Sequence, residues 1–125
     1  MGRMLSLAVG SVAGGFARYF LTDWVNRFSG APYPYGTLTV NAAGSFLIGF
    51  LAVCAEHRGW LGAESRILLM TGFCGAFTTF SAVMLETSAL ARADVWRAGA
   101  YLAGSVFLGY LLFHAGSWAA RCLPG

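Results

Sequence analysis

Residues 72–81 read G-F-C-G-A-F-T-T-F-S and lie inside an apolar run, residues 67–85, that carries no formal charge. A helix needs about 20 apolar residues to cross a bilayer, and this run has that length. Its middle works against a regular helix. Gly72 and Gly75 stand three apart, and the β-branched pair Thr78–Thr79 follows between aromatic rings; glycine and adjacent β-branched residues both weaken helices. In lipid a carbonyl released from a helix has no water to bond to. One reading is a span broken at its centre, turning bare carbonyls toward an ion or a wet cavity. The other is a kinked helix whose small residues admit a close neighbour. The residues alone leave both open.

The rest of the chain belongs to the same environment. Of 125 residues, 58% are hydrophobic and 10% charged, against roughly 25% charged in a soluble domain. Four runs have spanning length: residues 4–21, 37–55, 67–85 and 98–120. They leave almost nothing for a soluble part, so the expectation is one all-α membrane domain over residues 1–125. Arg3 followed by an apolar stretch has the outline of a signal peptide; we read it as a retained first span carrying the glycine pair Gly14–Gly15.

The net charge is +3, and all eight basic residues are arginines scattered between apolar segments. No basic stripe exists to follow a phosphate backbone, which argues against a nucleic-acid partner. Cys54, Cys74 and Cys122 are an odd count without close spacing and read as small apolar side chains. No nucleophile–base pair or metal-ligand cluster is visible, so an enzyme is not expected.

Polar residues inside the spans carry the functional reading. Asn41 lies several residues into the second run, with Thr37 one turn before it. An amide in hydrocarbon must be hydrogen-bonded. It serves either as an interhelical clamp or as a donor lining an ion path, and the alignment with Thr37 favours the path. Tyr101, Ser105 and Gly109 recur at four-residue spacing in the fourth run; a serine there also has its own backbone as an alternative partner. Arg18 stands near the end of the first run, either snorkelling to the headgroups or tying its helix to carbonyls of a neighbouring element, and Glu86 stands near the end of the third, as an interfacial charge or a polar group at a vestibule mouth. The Gly10/Gly14 pair forms a close-packing face. Residues 26–35, 56–66 and 92–97 are expected as loops, the first with Pro32 and Pro34 around Tyr33.

Four spans put both termini on one side, with Arg3, Arg58, Arg66 and Arg121. The other side has Arg27, Arg92 and Arg97, and Arg18 if it reaches that face. Orientation follows an arginine and lysine bias, and here there is almost none. The chain is therefore expected to insert both ways up, with opposite copies pairing as an inverted dimer.

G-G-F-A-R-Y at residues 14–19, G-T-L-T-V-N-A-A-G-S at 36–45 and the stretch at 72–81 together resemble the Fluc (CrcB) family of fluoride channels, across all four spans and in order. The resemblance implies an antiparallel, dual-topology homodimer in the plasma membrane (the inner membrane of a Gram-negative cell), multi-pass, with two fluoride pathways. It implies a structural, untransported Na+ at the dimer centre, held by the backbone carbonyls of Gly75 and Thr78 from each copy. It implies fluoride pathway roles for Asn41, Phe80, Ser81, Tyr101 and Ser105. It places Arg18, Thr37, Thr79 and Glu86 in supporting or vestibule roles. An aromatic ring edge is electropositive and can meet an anion without a fixed charge. Fluoride holds its water strongly, so a pore must offer several donors in exchange, none binding too tightly.

One departure stands out. The family commonly runs T-T-F-S-T-F, whereas this chain has T-T-F-S-A-V, with Val83 in place of a second ring. Slower conduction, a substitute group such as Met84, or a second, homologous partner chain would each follow. The alternative function is a small dual-topology, proton-coupled multidrug-type exporter, which needs an acidic residue well inside a span.

Overall fold

The computed structural model describes residues 2–124. Helix α1, Gly2–Ser29, is followed by α2, Tyr35–Glu56. The third span, Ala63–Ala93, is composite. It begins with α3, Ala63–Arg66, passes through a π-helical stretch, Ile67–Cys74, and a short α4, Gly75–Phe77, and resumes as α5, Phe80–Ala93. Helix α6, Val95–Cys122, completes the chain. Four helices are long and apolar enough to cross a membrane, and the described residues contain no strand.

The first, second and fourth expected spans each lie inside a longer helix, and the composite third also runs past its expected ends, because backbone bonding continues past the apolar core until a residue stops it. The loop expected over residues 26–35 is shorter than that: α1 holds through Ser29, and Gly30 ends it in the left-handed region at φ 57°, a conformation glycine adopts without strain. Asn26, still helical, turns its side chain to accept the Gly36 N–H at 2.9 Å and so ties the start of α2 to the end of α1. The expected loop over residues 92–97 shrinks to Asp94, whose Oδ1 accepts from the Trp96 and Arg97 N–H groups. This is an N-cap, and it lets α6 start at once.

Helix α1 lies along the first half of the third span, α2 along α6, and α5 against α6. Glycines set two of these distances. A Cβ on Gly14 would collide with the Phe73 carbonyl, and one on Gly49 with the Phe113 carbonyl, so the backbones touch as small-residue faces permit. Ser117 Oγ donates to the Gly49 carbonyl at 3.1 Å across the second of these seams.

Two arginines fasten helix ends. Arg58 donates to the carbonyls of Ala120, Arg121 and Leu123 at 3.2, 3.0 and 2.6 Å. Arg66 donates to the Leu61 carbonyl at 3.2 Å and to that of Ala55. Both guanidinium groups thus satisfy orphaned carbonyls at helix C-termini, where the helix dipole favours a cation. The apolar remainder faces outward: Phe16, Phe20 and Phe107 are each more than 60% exposed, as side chains facing lipid would be.

Candidate functional site

The third span is broken at Thr78 and Thr79. Both are extended, at φ −85°, ψ 159° and φ −152°, ψ 115°. Gly72 and Gly75 remain helical; the open question between break and kink is settled in favour of a break, one turn beyond the glycines.

Asn41 holds the break. Its Oδ1 accepts the Thr79 N–H at 2.7 Å, and its Nδ2 donates to the Thr79 carbonyl at 3.0 Å. One side chain therefore does for Thr79 what a helix would have done. Thr79 Oγ1 in turn accepts the Ala82 N–H at 3.2 Å and caps α5. It also lies 3.3 Å from Ser81 Oγ. Thr78 is anchored backward, its N–H and its Oγ1 both donating to the Cys74 carbonyl at 3.0 and 2.9 Å.

These diversions have a consequence for two carbonyls. In a continuous helix Gly75 C=O would accept from Thr79 N–H, and Thr78 C=O from Ala82 N–H. The first donor goes to Asn41 and the second to Thr79 Oγ1. Gly75 and Thr78 are the two residues that the resemblance names for a cation. Two carbonyl oxygens relieved of their helical N–H partners are the kind of donor a hard cation takes.

Beside the break lies a cavity of about 590 Å³. Asn41, Gly75, Thr78, Thr79, Phe80 and Ser105 line it, together with Val83 and with Ser45, which the sequence reading passed over. The spacing could have found Ser45, since it follows Asn41 by one helical turn on α2. Phe80 is 72% exposed at the rim, whereas Val83 is buried. Ser105 Oγ donates to the Tyr101 carbonyl at 2.7 Å, its own helix serving as partner.

A second polar cluster sits one turn along both helices. Glu86 accepts at Oε1 from Thr37 and at Oε2 from Tyr101, both at 2.6 Å. Thr37 precedes Asn41 on α2, and Tyr101 precedes Ser105 on α6, so the two clusters share helix faces. Tyr101 and Thr37 are buried. Glu86 was expected near the end of its span; α5 runs on to Ala93, and the carboxylate is a partly buried acceptor joining three helices. The ring of Tyr33 covers this cluster, edge to face with Tyr101 at 5.6 Å; nothing in the sequence spacing pointed to that contact. Arg18 does not join either group. It lies well inside α1, half-buried, with α1 continuing to Ser29.

The profile of the family described as CrcB-like protein, Camphor Resistance (CrcB), matches residues 5–117. A fluoride-specific ion channel FluC of Roseiflexus sp. (strain RS-1) is 43% identical over 122 residues, covering 97% of this chain and 98% of the relative. Its namesake in Chlorobium chlorochromatii is 42% identical over 123 residues, with 98% and 95% covered. That of Thermus thermophilus is 45% identical over 124 residues, with 98% and 97% covered. With a family match over nearly all of its length and relatives at this identity, the chain belongs to the CrcB family.

Proposed function

We propose that this protein is a fluoride-selective channel that lets fluoride leave the cytoplasm passively. It is not an enzyme: the relatives are named as ion channels. The observation that carries the reading is the break at Thr78–Thr79, pinned by Asn41 against a cavity whose polar groups are amide, hydroxyl and carbonyl. Uncharged donors can replace the water around a small anion without trapping it, as a fixed cation would. The exposed ring of Phe80 at the cavity rim adds an electropositive edge.

The functional unit in this reading is two copies of opposite orientation in the plasma membrane, with a structural sodium at the centre. The near-equal arginine count on the two faces supports the orientation. The freed Gly75 and Thr78 carbonyls support the sodium. A cation so held supplies charge to offset four carbonyl dipoles and joins the two breaks. The chain's own residues do the rest: Asn41 fixes the break, Thr79 starts α5 in the right place, and Glu86 ties Thr37 to Tyr101 at one end of the polar row.

The test is efflux from liposomes loaded with fluoride or chloride and carrying the purified protein. Fluoride release without chloride release is the expected result, and absence of fluoride release overturns the reading. Because Glu86 lies inside the third span, the same liposomes should carry an imposed pH gradient. Fluoride movement driven by that gradient would mark a proton-coupled transporter instead.

A further inference from the structure

Arg97 and Tyr33 form a contact that the pathway described above does not use. The Arg97 guanidinium carbon lies 5.9 Å from the centre of the Tyr33 ring, within cation–π range. The other side of the arrangement is Tyr101, packed edge to face on Tyr33 and donating to Glu86. Arg97 is exposed, stands one turn before Tyr101 on α6, and so sits at the outer end of the same polar row. Tyr33 is set there by short tethers. Pro32 and Pro34 flank it, and the Gly36 N–H is held by Asn26.

We propose that Arg97, steadied by Tyr33, is the anion-recruiting cation at the mouth of the path, a deepening that rests on the channel reading above. Glu86 puts a carboxylate just inside this mouth, and an approaching anion meets its repulsion. The other acidic group nearby, Asp94, caps α6 through the Trp96 and Arg97 N–H groups, where the helix dipole offsets its charge. Arg97 is exposed and has no carboxylate partner among the described residues, so its field remains available to ions in solution. At the surface it can attract an anion without holding it, since water screens the contact within about 10 Å at 0.1 M salt. Holding the guanidinium over a ring, with its charge still exposed, keeps it near the axis of entry. A freely swinging arginine would spend less time there.

The test is single-channel conduction of fluoride in planar bilayers, at low ionic strength and again with an impermeant salt added. Arg97→Gln is expected to lower conduction about two- to threefold at low ionic strength, as a unit charge acting through water would, and to leave it unchanged at high ionic strength. Arg97→Lys should restore most of the low-salt conduction, since it returns the charge. Equal conduction by wild type and Arg97→Gln at both salt levels overturns the proposal. An equal loss by Arg97→Gln at both levels also overturns it, because that marks a structural role. If the wild type conducts no fluoride, the channel reading itself fails, which the variants do not decide.

Discussion

Asn41 and Thr79 exchange two hydrogen bonds across 38 positions of sequence: the amide accepts from the Thr79 N–H and donates to its carbonyl. The pair replaces the helical bonding that the break gives up. Asn41→Ala should therefore leave two polar backbone groups exposed to an apolar surround, at a cost of about 1–3 kcal/mol. Thermal unfolding in detergent measures the loss, and liposome efflux should fall with it. An unchanged melting temperature would show that the break does not depend on the amide.

The seam between α1 and the third span gives a paired prediction. Gly14→Ala places a methyl against the Phe73 carbonyl, while Gly15→Ala points into open space. Overpacking at the first site should cost about 1–3 kcal/mol. The second should be neutral or slightly stabilising, since alanine suits a helix better. Size-exclusion profiles and melting curves of the two variants, side by side, check this.

Glu86 accepts from Thr37 and Tyr101 at once, so the two hydroxyls should not act independently. Tyr101→Phe should destabilise by about 1.5–3 kcal/mol, the range for hydrogen bonds to charged groups. Thr37→Val should cost less if Tyr101 still anchors the carboxylate. A double-mutant cycle on unfolding energies should give a coupling of at least about 0.5 kcal/mol; strict additivity would mean that Glu86 does not link them.

Val83 is buried but lines the cavity that Phe80 borders. A phenylalanine there adds a ring edge inside the cavity. Val83→Phe should raise fluoride efflux several-fold if a missing ring slows the path, while Phe80→Ile should lower it. Unchanged efflux in Val83→Phe would show that this position does not limit conduction.

The freed carbonyls at Gly75 and Thr78 predict a dependence on sodium. Replacing sodium on both sides with a large organic cation should reduce efflux, and restoring it should recover the activity. Efflux that is indifferent to the exchange would remove the structural ion from the proposal.

The four spans were legible because twenty-residue apolar runs have few other uses, and the weakness at residues 72–81 was legible because glycine and threonine pairs are poor helix interior. What the local pattern hid was the division of labour. Gly72 packs against Gly10 and stays helical, while the break itself falls on Thr78–Thr79, where Asn41 offers replacement bonds. That depends on a partner 38 residues away, which no window of sequence contains. The same holds for Glu86. Its place inside α5 follows from the helix running on to Ala93, and its partners Thr37 and Tyr101 come from two other helices. Span ends were read short for a simpler reason: residues 22–29 are polar enough to leave the bilayer but contain nothing that stops a helix before Gly30.

Arg58 and Arg66 bear on how the chain is threaded into the bilayer. Both are fixed to carbonyls at the ends of α6 and α2, so replacing either with a neutral residue removes helix-end bonds along with the charge that orients a span. Arg3 and Arg92, in the first turn of α1 and the last turn of α5, carry no such bond among the described residues and can change charge at less structural cost. Those two helix ends, rather than the polar row, are where a change of charge leaves the interhelical bonds intact.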